Sequence, residues 1–281
     1  MPSLSHRRWR HTGRRRARAR ASRSRERITT MGDRLPPRVD AFSGEALRDG
    51  AWLARQVSDT RRRWRFREDR AAGTLWWYSA SATLTAPGPR MLLADGTAPN
   101  PALAQLDCTL TPYGHLGSAR SAGWVSGPDE YRRALVPAFA AIIGALARAS
   151  GAPEPSLWAI ASDSLANQAL QAGVDAGRCA DACVLARRLT CPPLVPARFV
   201  DVVPHPSAPH PSAPLAMDGA ARVSVRPADP ASPPPAGGLR IVRRSSCCLL
   251  FQAPGQGKCV SCPRRSPGER AAALGGWFAG S

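Results

Sequence analysis

The sequence has little lysine and no long hydrophobic run. Lys258 is the single lysine among 39 basic residues. The longest uncharged apolar stretch covers residues 134–147 and is interrupted by Pro137. Because a membrane-spanning helix needs about 20 apolar residues, we expect no transmembrane helix. No apolar segment follows the basic N-terminus, which argues against a secretory signal, and we predict a cytoplasmic protein.

Acidic residues are also scarce, with 20 against 39 basic ones and a net charge of +19. Residues 1–30 hold eleven arginines and one glutamate, so they contribute +10, and the remaining 28 basic and 19 acidic residues contribute +9. Since this stretch is almost free of apolar side chains, we predict a disordered Arg-rich tail over residues 1–35. Such a tail can contact nucleic acid or an anionic membrane. We expect no nucleic-acid partner, and peripheral membrane association stays an open alternative.

The hydrophobic pattern predicts an α+β protein with a mostly helical body, a small antiparallel sheet and a C-terminal Cys-rich segment. Glycine closes one predicted helix at Gly151, and Ser43 and Ser156 are candidate N-caps. The predicted elements are helices over 38–70, 74–86, 128–149, 156–173 and 175–190, a hairpin over 105–125, and strands over 197–203 and 239–245.

Proline-rich stretches divide the chain. Residues 204–214 repeat a five-residue unit, and residues 227–238 are similarly rich in proline. Such segments cannot bury a core, so they are typical of extended linkers or of loops inserted between paired strands. We therefore predict a helical body over 36–203, a Pro-rich linker or insert over 204–238, and a Cys-rich segment over 239–275.

Four of the eight cysteines lie within sixteen positions, in the stretch RRSSCCLLFQAPGQGKCVSCPRR. Eight cysteines in 281 residues are too few for a disulfide scaffold. A disulfide pair, a structural zinc ion and a [2Fe–2S] cluster each remain open from spacing alone. Both sulfurs of the adjacent cysteines can serve one site only if the backbone kinks there, because neighbouring strand side chains point to opposite faces. The candidate ligands are Cys247, Cys248, Cys259 and Cys262.

The spacing Cys-Cys-x10-Cys-x2-Cys resembles that of the FhuF-type ferric-siderophore reductases. Arg243-Arg244 and the glycine-containing APGQGKC also resemble that family, as do the body segments LWWYSASATL, LWAIASDSLANQAL and PARFVDVV. The resemblance implies a [2Fe–2S] cluster held by the four cysteines, with no catalytic residue beyond it. It further implies a ferric siderophore, expected to be of hydroxamate type, as substrate, and a redox protein or reductase as electron donor.

The runner-up hypothesis is a zinc-stabilised binding module that contacts nucleic acid or an acidic protein through its basic tail. Several other residues have a functional and a structural interpretation. Asp163 and Asn167 share a helix face and could contact substrate, but a buried polar pair or a loop anchor is favoured. Trp76, Trp77 and Tyr78 are favoured as core, as are the remaining cysteines, Cys108, Cys179, Cys183 and Cys191. A basic rim is predicted from Arg243, Arg244, Lys258, Arg264 and Arg265.

Overall fold

Helices dominate the computed structural model of this protein. It describes residues 41–204 and 223–279, so the predicted tail over 1–35 lies outside the described residues. The predicted α+β class is confirmed, although the strands form three small antiparallel sheets instead of one. The helices are α1 Gly50–Trp64, α2 Asp69–Thr85, α3 Pro87–Asp95, α4 Gly127–Ser150, α5 Glu154–Ala176, α6 Cys179–Leu189 and α7 Pro267–Ala279. The strands are β1 Phe42–Ser43, β2 Thr97–Pro99, β3 Leu106–Leu110, β4 Leu116–Ser121, β5 Trp124–Ser126, β6 Phe199–Pro204, β7 Val223–Pro227 and β8 Leu239–Val242.

The helix predicted over 38–70 is wrong as a single element. Ser43 does act as an N-cap, but of a short 3-10 helix over Gly44–Arg48 that precedes α1. Arg65 then adopts the left-handed conformation with φ of 54° and ends α1. The predicted cap Ser156 is also wrong, because α5 begins at Glu154 with Pro153 as its N-cap.

Helices α2 and α5 pack against each other and contribute many of the buried core residues. Trp76 and Trp77 are fully buried, as the core interpretation predicted, whereas Tyr78 is 37% exposed. The Trp77 indole Nε1 donates a hydrogen bond to the Leu157 carbonyl at 2.8 Å. Its ring meets Phe139 edge to face at 5.3 Å between centroids. This contact fixes α2 against both α4 and α5, because buried indoles are held by packing and by their one donor together.

Helix α4 is the described helix that is long and apolar enough to cross a membrane by length and composition alone. The same helix contributes Ile142, Ile143 and Leu146, all fully buried, to the protein core. It ends where predicted, at Gly151 in the left-handed conformation. Its apolar character is therefore matched by the core that it helps to build.

Two of the sheets carry the predicted β-structure. Strands β3 and β4 form the predicted hairpin, and β6 pairs antiparallel with β7 on one side and β8 on the other. β7 lies inside the range 204–238 predicted as linker or insert, of which residues 205–222 lie outside the described residues. The predicted strand over 239–245 ends at Val242. The domain boundaries themselves stay a prediction.

A buried ion pair holds together the sheet formed by β7, β6 and β8. Arg240 of β8 donates from Nε to Asp201 Oδ1 at 2.9 Å and from Nη2 to Asp201 Oδ2 at 3.0 Å. Its Nη1 donates to the Ser232 carbonyl at 2.7 Å. The arginine side chain is 1% exposed and the aspartate 10%. β8, the strand that leads into the cysteines, is thus fixed to β6 through side chains as well as through the backbone.

Candidate metal centre

The adjacent cysteines are separated from the end of β8 by four residues and lie at a sharp change of chain direction. Cys247 and Cys248 are followed by Leu249, whose φ of 60° places it in the left-handed region. A single 3-10 turn over Leu250–Gln252 comes next. A branched side chain adopts this conformation at a cost, so the surrounding structure must impose it. The change of direction comes directly after the pair, whose two thiols are close enough to form a hydrogen bond with each other.

The second pair of cysteines returns to the first through a loop that contains Gly255 in the left-handed conformation, with φ of 75°. Cys259 and Cys262 lie in one turn, in which the Cys262 N–H donates to the Cys259 carbonyl at 3.1 Å. The Sγ atoms of Cys247 and Cys262 are 3.7 Å apart. Two thiolates bound to one tetrahedral metal at about 2.3 Å lie about 3.8 Å from each other. The distance therefore fits a shared metal ion.

The four sulfurs differ in exposure. Cys248 and Cys262 are buried, Cys247 is half-buried and Cys259 is exposed. In the part of the chain that the structure describes, no three His, Cys, Asp or Glu side chains are placed to hold one metal ion. A two-iron cluster takes its four thiolates as two pairs, one for each iron. The donor set and the close pair suit that arrangement.

Hydrogen bonds between the two thiols and from backbone N–H groups shift the pKa values of Cys247 and Cys248. A hydrogen bond from Cys247 lowers the pKa of Cys248 to about 5 against the effect of burial, helped by the Leu250 N–H and by Arg244. The same hydrogen bond raises the pKa of Cys247. The Leu249 N–H donates to Cys247 Sγ at 3.4 Å. The left-handed turn after Cys248 thus aims two amide groups at the sulfurs that would carry negative charge.

Arg244 is buried against the cysteines instead of lying in the exposed basic rim predicted for it. Its Nη1 donates to Cys259 Sγ at 3.5 Å. Its guanidinium lies 4.8 Å from the centre of the Tyr78 ring. Nε and Nη2 are buried without a hydrogen-bond partner, although Nε lies 3.9 Å from an Asp163 oxygen. Buried charged donors are normally satisfied, so this side chain fits a negatively charged group at the sulfurs.

Asp163 anchors the loop that carries the adjacent cysteines. Its carboxylate accepts the Ser245 N–H at 2.9 Å to each oxygen and the Ser246 N–H at 3.1 Å. Burial raises the pKa of Asp163 to about 6, opposed by these two N–H groups and by Arg244. Asn167 donates from Nδ2 to the Asp163 carbonyl at 2.7 Å. The loop-anchor interpretation of Asp163 is thereby confirmed.

The remaining basic side chains brace the second cysteine turn. Arg265 donates from Nε to the Cys259 carbonyl at 3.0 Å and from Nη2 to the Lys258 carbonyl at 2.6 Å. Lys258 Nζ donates to the Arg264 carbonyl at 3.2 Å. Lys258, Arg264 and Arg243 are exposed, and Arg265 is half-buried. They therefore give the exposed side of the turn both its shape and its positive charge.

The other four cysteines do not join the cluster segment. Cys108 and Cys183 are fully buried, and burial raises their pKa values to about 11 and about 12. Both behave as small core residues, as predicted. Cys179 and Cys191 are half-buried. His115 is half-buried at the β3–β4 hairpin, and burial lowers its pKa.

Sequence reasoning missed Asp201 and Arg240 entirely and placed Arg244 on the surface. Asp201 and Arg240 pair across 39 positions of the sequence, so no local pattern indicates their contact. Arginine side chains are usually exposed, so nothing local indicates that Arg240 or Arg244 is buried.

Comparison with known proteins identifies the cysteine segment. The family model described as the FhuF 2Fe-2S C-terminal domain matches residues 244–264. No curated protein and no solved structure matches the chain. The matched range begins at Arg244 and contains both cysteine pairs. The resemblance to the FhuF-type reductases is therefore confirmed over this segment, and its cofactor is a [2Fe–2S] cluster.

Proposed function

We propose that this protein is an oxidoreductase that reduces iron(III) in ferric siderophores to iron(II) in the cytoplasm, one electron at a time. Cys247, Cys248, Cys259 and Cys262 are the cluster ligands in this proposal. The observation that carries it is the family match over residues 244–264, in a segment where the sulfurs of Cys247 and Cys262 lie 3.7 Å apart. The hydroxamate type of the siderophore is part of the same proposal.

The proposed reduction requires little of the protein beyond holding the cofactor and binding the substrate. When bound, a [2Fe–2S] cluster supplies single electrons at a potential set by charge and hydrogen bonds around its sulfurs. A siderophore holds iron(III) with hard oxygen donors, and iron(II) has a lower charge, so the same oxygens bind it less tightly. One electron therefore releases the iron without an acid, a base or a nucleophile.

Residues around the cysteines stabilise the reduced, more negative state in this proposal. Arg244 places a buried positive charge 3.5 Å from Cys259 Sγ. The amide groups of Leu249 and Leu250 donate to Cys247 and Cys248. Asp163 holds the loop in place but carries the opposite charge, so it opposes reduction when ionised. The balance of these groups sets the potential.

The electron donor is proposed to approach at Cys259. This cysteine is exposed, and Lys258, Arg264 and Arg265 surround it with positive charge. An acidic redox protein complements that charge, which raises the rate of encounter. We expect the rate of reduction by such a donor to fall steeply with ionic strength.

Anaerobic titration tests the function. The holo protein is reduced with dithionite, freed of excess reductant and mixed with ferric siderophores in the presence of an iron(II) chelator that reports release. One iron(II) per chain should form, with return of the oxidised visible spectrum. A reduced cluster that stays reduced in the presence of every ferric siderophore tested would contradict the function. The oxidised protein, which has no electron to give, is the control.

A further inference from the structure

A cavity of about 620 Å³ opens beside the cysteine segment. Its walls come from α2, α5, β8 and α7, together with Val260 and Ser261. These last two residues are the ones between Cys259 and Cys262, so the wall of the cavity is part of the turn that carries the second cysteine pair. A molecule in the cavity would lie directly against that turn. The volume is within the range of small-molecule sites in proteins.

The charge that lines the cavity is of one sign, positive. Among the described residues that line it, Arg244 carries the only full charge, and Asn167, Gln168, Thr83 and Ser164 supply neutral polar groups. The Asp163 carboxylate lies 3.9 Å from Arg244 Nε but does not line the cavity, so the charge on the cavity wall is positive. A positive charge at the wall of a partly enclosed space favours neutral or anionic ligands over cations.

Arg244 also has hydrogen-bonding capacity left over. Its side chain is 5% exposed, and its Nη2 and Nε have no hydrogen-bond partner. Such a buried guanidinium binds oxygen acceptors well, since each unmet donor is costly. Because Nη1 already contacts Cys259 Sγ, the same side chain links the cavity to the cysteines.

Two aromatic side chains complete the site. Tyr78 from α2 and Trp277 from α7 line the cavity and are 37% and 48% exposed. Half-exposed aromatic side chains at a cavity are typical of sites for organic ligands, because they offer flat apolar area at low entropic cost.

From these features we propose that the cavity is the binding site for the iron(III) chelate, and that it accepts neutral or anionic complexes with an oxygen donor set and an organic backbone. The proposal rests on the proposed reductase function and adds the place and the charge preference of substrate binding. Cationic complexes of the same size should bind less tightly.

The test uses gallium(III), which forms the same kind of oxygen complexes as iron(III) and is not reduced. Binding of a neutral gallium(III) trihydroxamate complex to the holo protein is measured by calorimetry. Ala82→Trp, which fills the cavity from α2, should weaken binding by about tenfold or more. Ala54→Trp, at an exposed position of α1 that does not line the cavity, is the matched control and should leave the affinity unchanged. Circular dichroism and the visible spectrum show that each variant is folded and loaded.

A second variant covers a failure of Ala82→Trp to fold. Trp277→Ala removes one aromatic wall at a half-exposed position and should weaken binding by about three- to tenfold. A gallium(III) trihydroxamate complex with one added ammonium group should bind wild-type protein about fivefold less tightly than the neutral one.

The outcomes separate this proposal from the function on which it rests. Unchanged affinity in Ala82→Trp and Trp277→Ala, or no gallium complex bound by a wild-type protein that still reduces ferric siderophores, would overturn the cavity and leave the reductase function standing. Gallium complexes that bind in the cavity of a protein unable to release iron(II) would support the site and overturn the function.

Discussion

The buried ion pair between Arg240 and Asp201 yields the sharpest stability prediction. Asp201→Ala leaves the guanidinium of Arg240 buried, at 1% exposure, with the Ser232 carbonyl and the Cys183 side chain, neither of which is a carboxylate, as its remaining hydrogen-bond partners. Two charge-assisted hydrogen bonds, at 2.9 and 3.0 Å, are lost together. Removal of one partner from a buried pair typically costs about 3–5 kcal/mol, because the remaining charge is not solvated. We expect that loss in the free energy of unfolding.

Urea unfolding followed by circular dichroism measures the loss, with Asp175→Ala as the matched control. Asp175 pairs with Arg90 on the surface, where the two side chains are 42% and 58% exposed. Exposed pairs are screened by water and contribute little, so the control should lose much less stability than Asp201→Ala.

A second substitution isolates the cause. Adding Arg240→Met to Asp201→Ala removes the unpaired charge and should recover about 1–3 kcal/mol of the loss. If Asp201→Ala costs less than about 1 kcal/mol, or no more than the surface control, then the pair does not hold β8 to β6.

Three further predictions concern the surroundings of the cysteines. Arg244→Leu should make the reduction potential about 60–130 mV more negative, since it removes a positive hydrogen-bond donor at sulfur, whereas the exposed Arg243→Leu should shift it much less in protein-film voltammetry. The pKa of Asp163 is raised from 3.8 to about 6. At a pH between these two values, the folded chain therefore holds a proton on this carboxyl group that the unfolded chain has lost. Its contribution to stability is therefore lost as the pH rises through that window, and the unfolding free energy of the cluster-free chain should fall from about pH 4 to about pH 6 in the wild type but not in Asp163→Asn. Cys108→Ser should retain the full visible absorption, because this buried thiol lies outside the cluster segment; bleaching in this variant would refute the assignment.

The parts of the fold that follow local rules could be predicted from the sequence. The apolar periodicity of α4 and the glycine at position 151 fix that helix and its end, and the alternation over 105–125 marks the hairpin. The break after α1 could not be found, because Arg65 adopts a glycine-like conformation without being glycine. Strand β7 could not be predicted either, because it lies in a proline-rich stretch and its pairing with β6 is a long-range contact.

The candidate site also has features that could be predicted from the sequence and features that could not. The cysteine spacing and the family resemblance marked the segment that the family model matches. Asp163 was singled out because it shares a helix face with Asn167, but the backbone groups that it binds, at Ser245 and Ser246, are more than 80 residues away. The burial of Arg244 could not be predicted, since burial of a charge depends on partners from several elements at once.

Serine substitution at each of the four cysteines, followed by analysis of iron, inorganic sulfide and the visible spectrum in anaerobically purified protein, tests the central claim most directly. Wild-type protein should contain about two irons and two sulfides per chain, as a [2Fe–2S] cluster requires. The account predicts that each of Cys247→Ser, Cys248→Ser, Cys259→Ser and Cys262→Ser loses or visibly alters the redox-active chromophore. A variant that keeps an unaltered chromophore, or colourless wild-type protein with one zinc ion and no sulfide, would contradict it.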